Sequence, residues 1–168
     1  KTDKSQAIQL IFKKYYNQLC NSSYRIVQDE EIAKDIVQEV FIRFWENHSP
    51  STINNLQAYL KKSVINSSLN YLQKHQKVKF AILDNALEIA DTNYTDSISQ
   101  VNDLEIAISQ AVSQLPPACR VTFCLSRYEE LSNSEIAAEL GISIKAVEKH
   151  ITKALKFFKV NLKAFIEK

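Results

Sequence analysis

Basic and hydrogen-bonding side chains recur over residues 143–156, close to the end of the 168-residue chain. Lysine can donate to guanine acceptors or to phosphates, and glutamate can accept from the amino group of cytosine. The side chains of this kind are Ser143, Lys145, Glu148, Lys149, His150, Lys153 and Lys156. Their chemistry predicts a surface that contacts base edges and phosphates of duplex DNA. The alternative is an ordinary solvated helix face.

The residues around this set have the spacing of a helix-turn-helix. Ser132 and Glu135 match a capping box at the start of a short helix. Gly141, the only glycine of the chain, stands where that helix must end and the backbone must enter a left-handed conformation. Ser143 can cap a second helix. The predicted inward side chains of that second helix are Val147, Ile151, Ala154, Leu155 and Phe158. A helix in this position is shaped to enter a major groove.

A second polar stripe lies on a long helix predicted from Leu56 to about Lys79. Its members are Tyr59, Lys62, Asn66, Asn70, Gln73 and Lys74. Cations suit phosphates, and amide or aromatic groups suit unstacked bases, so this stripe favours separated DNA strands. The stretch from His48 to Asn55 is predicted to be a loop because it contains Pro50 and several Ser, Thr and Asn residues.

Two further amphipathic helices are predicted upstream from apolar side chains at three- and four-residue steps. The first stripe is Ile8, Ile11, Phe12, Tyr15, Tyr16 and Leu19; the second is Ile32, Ile36, Val37, Val40, Phe41 and Phe44. Away from the second stripe lie Asp35, Gln38, Glu39 and Ile42, with Trp45 beside them. This mixed acidic and apolar face suits a helix of another protein. The alternative is again a solvated face.

Charge divides the chain into three blocks. Residues 1–80 hold 12 Lys and Arg against 7 Asp and Glu, residues 81–118 hold none against 6, and residues 119–168 hold 9 against 6. Apolar periodicity fades from Phe80 to Val101, which predicts a linker of unusual length for the inside of one domain. We therefore predict an all-α protein of two small helical domains, residues 1–80 and 102–168, joined by a flexible acidic linker at residues 81–101.

The sequence offers little for catalysis or metal binding. Cys20, Cys119 and Cys124 lack paired metal-type spacing, and the histidines are far from them in sequence. The adjacent carboxylates Glu129 and Glu130 do not share a helix face, and no glycine loop could cradle phosphate. We predict no enzymatic activity, no metal, no cofactor and no small-molecule substrate. Without a long apolar run or a secretory leader, the predicted location is cytoplasmic.

Three segments resemble the extracytoplasmic-function (ECF) sigma factors of the sigma-70 family. Residues 32–46, which end in Trp45-Glu46, are similar to the polymerase-binding helix of that family. Residues 59–72 are similar to the element that melts and reads the −10 region. Leu115-Pro116-Pro117 and residues 131–137 are similar to the domain that reads the −35 element. The resemblance covers nearly the whole chain in the family's order.

The resemblance implies a specificity subunit of RNA polymerase built from sigma region 2 and sigma region 4. Core polymerase, through its clamp-helices coiled coil, would bind Asp35, Gln38, Glu39, Ile42 and Trp45. The −10 DNA would bind Asn54, Asn55, Tyr59, Lys62, Asn66, Asn70 and Lys74. The −35 DNA would bind the set at residues 143–156. An anti-sigma factor, often membrane-linked, is a further expected partner. The linker would thread a polymerase channel, or simply act as a solubilising spacer.

Two other function classes fit less of the sequence. A transcriptional regulator of the response-regulator output type has a similar helix-turn-helix, but it needs a receiver or sensor domain that usually alternates strands and helices. The first 80 residues show helical stripes instead. An enzyme would need a placed nucleophile, a metal cluster or paired carboxylates on one face.

Overall fold

The computed structural model describes residues 2–47, 53–78, 80 and 101–162. These residues form seven α-helices and no strand: α1 (Thr2–Val27), α2 (Glu30–Asn47), α3 (Leu56–His75), α4 (Val101–Gln114), α5 (Pro117–Arg127), α6 (Asn133–Leu140) and α7 (Ile144–Asn161). The chain divides into two compact units, Lys1–Lys77 and Val78–Lys168. The prediction of an all-α protein with two helical domains is therefore confirmed.

The first unit is a bundle in which α1, α2 and α3 each pack against the other two. Its core contains Phe44, Leu60 and Leu72, which are fully buried. A buried polar contact joins α1 to α3, where the hydroxyls of Ser23 and Ser68 lie 2.9 Å apart. Because Ser68 also donates to the carbonyl of Val64 at 2.8 Å, this buried pair is satisfied without water.

A two-residue turn joins α1 to α2. Gln28 has a positive φ of 59° and its backbone N–H donates to the carbonyl of Tyr24, so it closes the end of α1. The carboxylate of Asp29 then accepts from the backbone N–H of Ile32 at 3.0 Å. Asp29 therefore acts as the N-terminal cap of α2. The turn fixes the direction in which α2 leaves, and with it the face that α2 exposes.

The second unit contains α4 to α7. Its main apolar cluster draws on three helices and contains Ala111, Val112, Leu115, Phe123, Cys124, Ala154 and Phe157. Ile136 of α6 and Val147 of α7 are fully buried as well. Pro117 occupies the first turn of α5, where its missing N–H costs no helical hydrogen bond. Together these contacts hold α6 and α7 against α5.

The turn between α6 and α7 has the geometry that the sequence predicted. The hydroxyl of Ser132 accepts from the backbone N–H of Glu135, and the Glu135 carboxylate accepts from the backbone N–H of Ser132 at 2.8 Å. Gly141 ends α6 with a φ of 65°. Ser143 caps α7 by accepting from the backbone N–H of Ala146 at 3.1 Å. The predicted helix-turn-helix is confirmed.

Substitution of Gly141 tests how the left-handed backbone conformation at this turn affects the stability of the helix-turn-helix. A Cβ at Gly141 would meet no atom within 4 Å, so Gly141→Ala adds strain only through its left-handed φ. We expect the free energy of unfolding of the helix-turn-helix to fall by about 1–2 kcal/mol, measured from hydrogen exchange of the α6 and α7 amides. Gly141→Asn is the control, since asparagine tolerates this conformation better. Equal protection in wild type and Gly141→Ala would contradict the prediction.

The structure differs from the sequence-based boundaries at two places. Helix α4 begins at Val101, one residue before the predicted start of the second domain. Phe80, predicted to end the first block, is buried in the second unit. The predicted linker, except Val101, and residues 48–52 of the predicted loop lie outside the described residues. None of the described helices is long and apolar enough to span a membrane.

Candidate nucleic-acid and protein interfaces

The side of α2 that faces away from the core carries all five residues predicted to bind another protein. The core-facing side consists of Ala33, Ile36, Val37, Val40, Phe41 and Phe44. The exposed side consists of Asp35, Gln38, Glu39, Ile42 and Trp45. Ile42 is 57% exposed and Trp45 is 40% exposed, so two large apolar side chains three residues apart lie side by side on this face of α2. We call this set the α2 face.

Arg43 fixes one border of the α2 face. Its guanidinium donates to the hydroxyl of Ser67 on α3 at 2.9 Å. Its Nε also lies 3.8 Å from a carboxylate oxygen of Glu39. Arg43 therefore leans toward α3 and draws Glu39 with it. Asp35, Gln38 and Ile42 remain as the acidic, polar and apolar centre of the α2 face.

Helix α3 exposes most of the stripe predicted to contact −10 DNA. Lys62, Asn70 and Lys74 are exposed, while Tyr59 and Asn66 are half-buried. The Tyr59 ring packs near Phe44 with ring centroids 6.1 Å apart, so the core orients it. The structure thus places these five side chains along one helix.

The start of α3 brings Asn54 and Asn55 next to this stripe. Both are exposed. The Asn55 side-chain oxygen is already engaged, because it accepts from the backbone N–H of Ala58 at 3.0 Å as the helix cap. The amide NH₂ of Asn55 remains to donate outward, and Asn54 is exposed beside it.

Helix α7 presents most of the predicted duplex-reading set on its outer side. Lys145, Glu148, Lys149 and Lys156 are exposed, and Lys153 is half-buried toward the edge of that side. Ser143 is exposed at the start of the helix. Its hydroxyl oxygen accepts the cap hydrogen bond, which leaves the hydroxyl proton free to donate. The exposed residues of this set give the outer side of α7 three lysines and one glutamate.

His150 is the exception, and the prediction that it is exposed on this side is wrong. Its side chain is 1% exposed. Its Nε2 lies 2.9 Å from the backbone carbonyl oxygen of Phe80, and its Nδ1 lies 3.5 Å from Sγ of Cys119. Because both ring nitrogens have protein partners, burial leaves no polar atom unsatisfied. His150 therefore contributes to the interior of the second unit and is removed from the DNA-contacting set.

The electrostatics of His150 fix its tautomer. A carbonyl can only accept, so Nε2–H donates to Phe80 and unprotonated Nδ1 accepts from the Cys119 thiol. Burial lowers the pKa of His150, and the positive charges of Lys153 and Lys149 lower it further against the opposing effect of the Phe80 carbonyl. Burial also raises the pKa of the Cys119 thiol. Both groups are therefore neutral at neutral pH.

This lowered pKa predicts an acid-sensitive second unit. The unfolded chain binds a proton at His150 near pH 6.5, whereas the folded chain resists it until the pH is lower. Stability is therefore full above about pH 6.5 and falls as the pH drops toward the folded pKa, by at most about 1.4 kcal/mol per pH unit. Urea unfolding between pH 7.5 and 5.5 measures this. His150→Gln should flatten that part of the profile, and an unchanged slope would exclude His150 as the cause.

The sequence-based register of α7 was partly wrong. Val147 and Ala154 are buried as predicted, and Phe158 packs against Phe123 with ring centroids 4.7 Å apart. Leu155, however, is 46% exposed. The buried stripe is Ala146, Val147, His150, Ala154 and Phe157. The spacing of residues 147, 150, 154 and 157 also fits a helical stripe, but the polarity of histidine favours an exposed position for His150.

The two units each match a known family model in the order of the chain. Residues 11–78 match the model described as sigma-70 region 2, and residues 105–158 match the model described as sigma-70 region 4. The chain belongs to the sigma-70 family. The α2 face and the α3 stripe lie in region 2, and the outer side of α7 lies in region 4. These regions make the chain an RNA polymerase sigma factor that acts in promoter-specific transcription initiation.

Several relatives of this sigma factor are named as ECF or related sigma factors. The chain is 24% identical to the ECF RNA polymerase sigma factor SigE of Mycolicibacterium smegmatis, over 84% of this chain and 56% of the relative. It is 25% identical to the ferric citrate uptake sigma factor FecI of Escherichia coli, over 92% and 90% of the two chains. It is 28% identical to the ECF RNA polymerase sigma factor SigW of Bacillus subtilis, over 84% and 79%.

A solved structure has the same fold. It contains CnrH in complex with the cytosolic domain of CnrY, and the superposition gives a TM-score of 0.53 at 20% identity. It covers 95% of this sigma factor and 90% of that chain. The likeness extends over both helical units.

Proposed function

We propose that this sigma factor joins core RNA polymerase through the α2 face and reads the −10 and −35 promoter elements with α3 and α7. The exposure of Ile42 and Trp45 opposite the buried side of α2 carries this proposal most directly. Large apolar side chains in that position are suited to be covered by another helix. The acidic Asp35 and polar Gln38 beside Ile42 favour an interface with a defined register. We take the partner helix to be in the clamp coiled coil of polymerase.

The proposed −10 site lies on α3. Lys62 and Lys74 can contact phosphates of a separated strand, and Asn70 offers an amide to a base edge. Asn66 adds a further feature, because among the described residues its buried side-chain oxygen has no hydrogen-bond partner. Because that oxygen is buried, a base amino group could reach it only if the Asn66 side chain rotates outward. Asn54 and the NH₂ of Asn55 complete the proposed site at the start of the helix.

The proposed −35 site is the outer side of α7. Ser143, Lys145 and Lys149 lie within the first two turns, the part of a reading helix that contacts base edges. Glu148 can accept from a cytosine amino group, which makes it a candidate for selecting a G·C pair. Lys153 and Lys156 follow along the helix and suit phosphates. His150 is excluded because it is buried.

We propose a cytoplasmic location and an anti-sigma partner. The proposed targets of this chain, RNA polymerase and promoter DNA, would place it in the cytoplasm. In the solved structure that shares this fold, CnrH is bound to the cytosolic domain of CnrY. We propose that a comparable partner regulates this chain. A pull-down with the full chain as bait, followed by identification of bound proteins, tests this.

Reconstituted transcription tests the proposed function. The purified chain is mixed with core polymerase that lacks other sigma factors and with a library of genomic fragments. We expect run-off transcripts from a small set of promoters that share −10 and −35 motifs. Transcripts that appear only with a second sigma factor would indicate a regulator instead. Failure to bind core polymerase, together with tight binding to a duplex operator, would overturn the proposal.

A further inference from the structure

Arg43 links the helix that carries the α2 face to the helix proposed to hold −10 DNA. It belongs to α2, and Nη2 of its guanidinium donates to the hydroxyl of Ser67 on α3 at 2.9 Å. The Arg43 side chain is nevertheless 52% exposed, so it crosses from α2 to α3 on the surface of the first unit. A cation supplied by α2 therefore lies beside the α3 stripe.

Helical geometry places this cation on one edge of the α3 stripe. Successive residues of an α-helix are about 100° apart around its axis, so Ser67 and Lys74 lie within about 20° of each other, on the same side of α3. Asn70 is about 60° from Ser67, and Lys62 is about 140° from it in the same direction. All three of these stripe residues are exposed. Asn70 thus lies between an edge that carries Arg43 and Lys74 and an edge that carries Lys62.

The guanidinium of Arg43 is suited to bind a phosphate while it keeps its place on α3. Its N–H groups form a planar fork that matches two oxygens of one phosphate. Ser67 accepts from one of these groups, which leaves others for a second ligand. A competing anion, the carboxylate of Glu39, lies 3.8 Å from Nε. Both side chains are exposed, and an exposed ion pair contributes little, so Glu39 does not block a phosphate.

We propose that Arg43 is a further residue that binds −10 DNA, and that the backbone of the separated strand runs along the edge of α3 that carries Arg43 and Lys74. The role of Arg43 rests on the proposed function, because it concerns the same −10 site. With the phosphates on this edge, the bases extend across α3 toward Asn70. Ser67 is a positioning residue, since its hydroxyl fixes where the guanidinium lies.

Neutral phosphates test this path in the complete holoenzyme. The full chain is combined with core polymerase and with a promoter found by the reconstituted transcription, whose −10 region is held open by mismatches. A methylphosphonate, which removes the charge of one phosphate, is placed at each −10 position of either strand in turn. We expect wild type to bind more weakly when the phosphate that meets Arg43 is neutral. Arg43→Gln should weaken binding to the unmodified promoter about tenfold and abolish the penalty at that position.

Lysine variants distinguish the two edges of the α3 stripe. Lys74→Gln should abolish the penalty at a different position of the same strand, whereas Lys62→Gln should leave both penalties in place. Arg43→Lys keeps the positive charge and should restore most of the affinity. Lys13→Gln is the matched control for a lost charge and should bind like wild type, because Lys13 is exposed on another helix, α1.

Three results would overturn the role of Arg43. In the first, wild type binds every neutral-phosphate promoter as tightly as the unmodified one. In the second, Arg43→Gln retains every penalty of wild type, so that Arg43 only ties α2 to α3. In the third, Lys62→Gln abolishes the penalties, which places the backbone on the opposite edge. A wild-type holoenzyme that fails to bind the open promoter at all is a separate result, and it would refute the proposed function together with the role of Arg43.

Discussion

Changing Ile42 to glutamate is expected to weaken binding to core RNA polymerase by 100-fold or more. Ile42 lies at the centre of the α2 face and is 57% exposed, so the fold tolerates a carboxylate there. In the complex, the same carboxylate would be covered by apolar surface with no partner. An unpaired buried charge costs several kcal/mol, and about 2.7 kcal/mol corresponds to 100-fold in the dissociation constant. Fluorescence titration of labelled chain with core polymerase measures the change.

A matched control separates docking from general damage. Leu10 on α1 is also a large apolar side chain of the first unit, and it is 69% exposed. Leu10→Glu introduces the same charge outside the α2 face, and we expect polymerase affinity within a factor of two of wild type. If both variants lose affinity equally, the effect is not specific to the α2 face. If neither does, the docking surface lies elsewhere.

The polar members of the α2 face should contribute less. Asp35→Ala combined with Gln38→Ala removes side chains that can hydrogen-bond across the interface, at about 1 kcal/mol each. We expect about a 30-fold loss of polymerase affinity with duplex DNA binding unchanged. This difference between the two ligands assigns the residues to polymerase. Equal polymerase affinity would show that they are merely solvated.

Local signals in the sequence determined much of this fold. The caps at Ser132 and Ser143 each bond to a backbone N–H three residues further along the chain. The N–H of Gly141, in its left-handed conformation, bonds to a carbonyl four residues before it. Such interactions depend on residue type and spacing alone. The buried and exposed sides of α2 were equally predictable, because its apolar side chains follow one unambiguous helical stripe. The α2 face could therefore be predicted from the sequence alone.

The register of α7 could not be derived in the same way. Apolar residues at positions 147, 151, 154, 155, 157 and 158 allow two adjacent stripes. Contacts with Phe123 and Ala111 on other helices bury Phe157, while Leu155 stays exposed. His150 falls on the buried side, and its burial requires an acceptor that arrives from Phe80, far away in sequence. The spacing of apolar residues within one helix gives no information about the neighbouring helices or about that carbonyl.

The burial of His150 reduces the set of α7 side chains that can contact DNA. Once the imidazole is removed, the charged side chains on the outer side of the N-terminal half are Lys145, Glu148 and Lys149. Replacing Lys145 and Lys149 together with alanine is expected to weaken −35 duplex binding by about 30-fold or more, at about 1–1.5 kcal/mol for each charged contact. These are exposed side chains, so the helix itself should remain folded.

Salt dependence distinguishes phosphate contacts from a general loss of affinity. Each phosphate contact contributes about 0.9 to the slope of the logarithm of affinity against the logarithm of salt concentration. The double variant should therefore lose up to about 1.8 units of slope, measured by fluorescence anisotropy between 50 and 200 mM salt. Lys159→Ala is the control for charge alone. Lys159 lies 10 residues after Lys149, about 15 Å along the helix axis, and is exposed.

The two possible outcomes of this comparison lead to different conclusions about how α7 binds DNA. A large loss for the double variant with little change for Lys159→Ala places the contacts on the N-terminal half, as groove insertion requires. Similar small losses for both would mean that the lysines act only through net charge. In that case Glu148 would be the remaining candidate for base selection, and α7 would bind DNA without reading it closely.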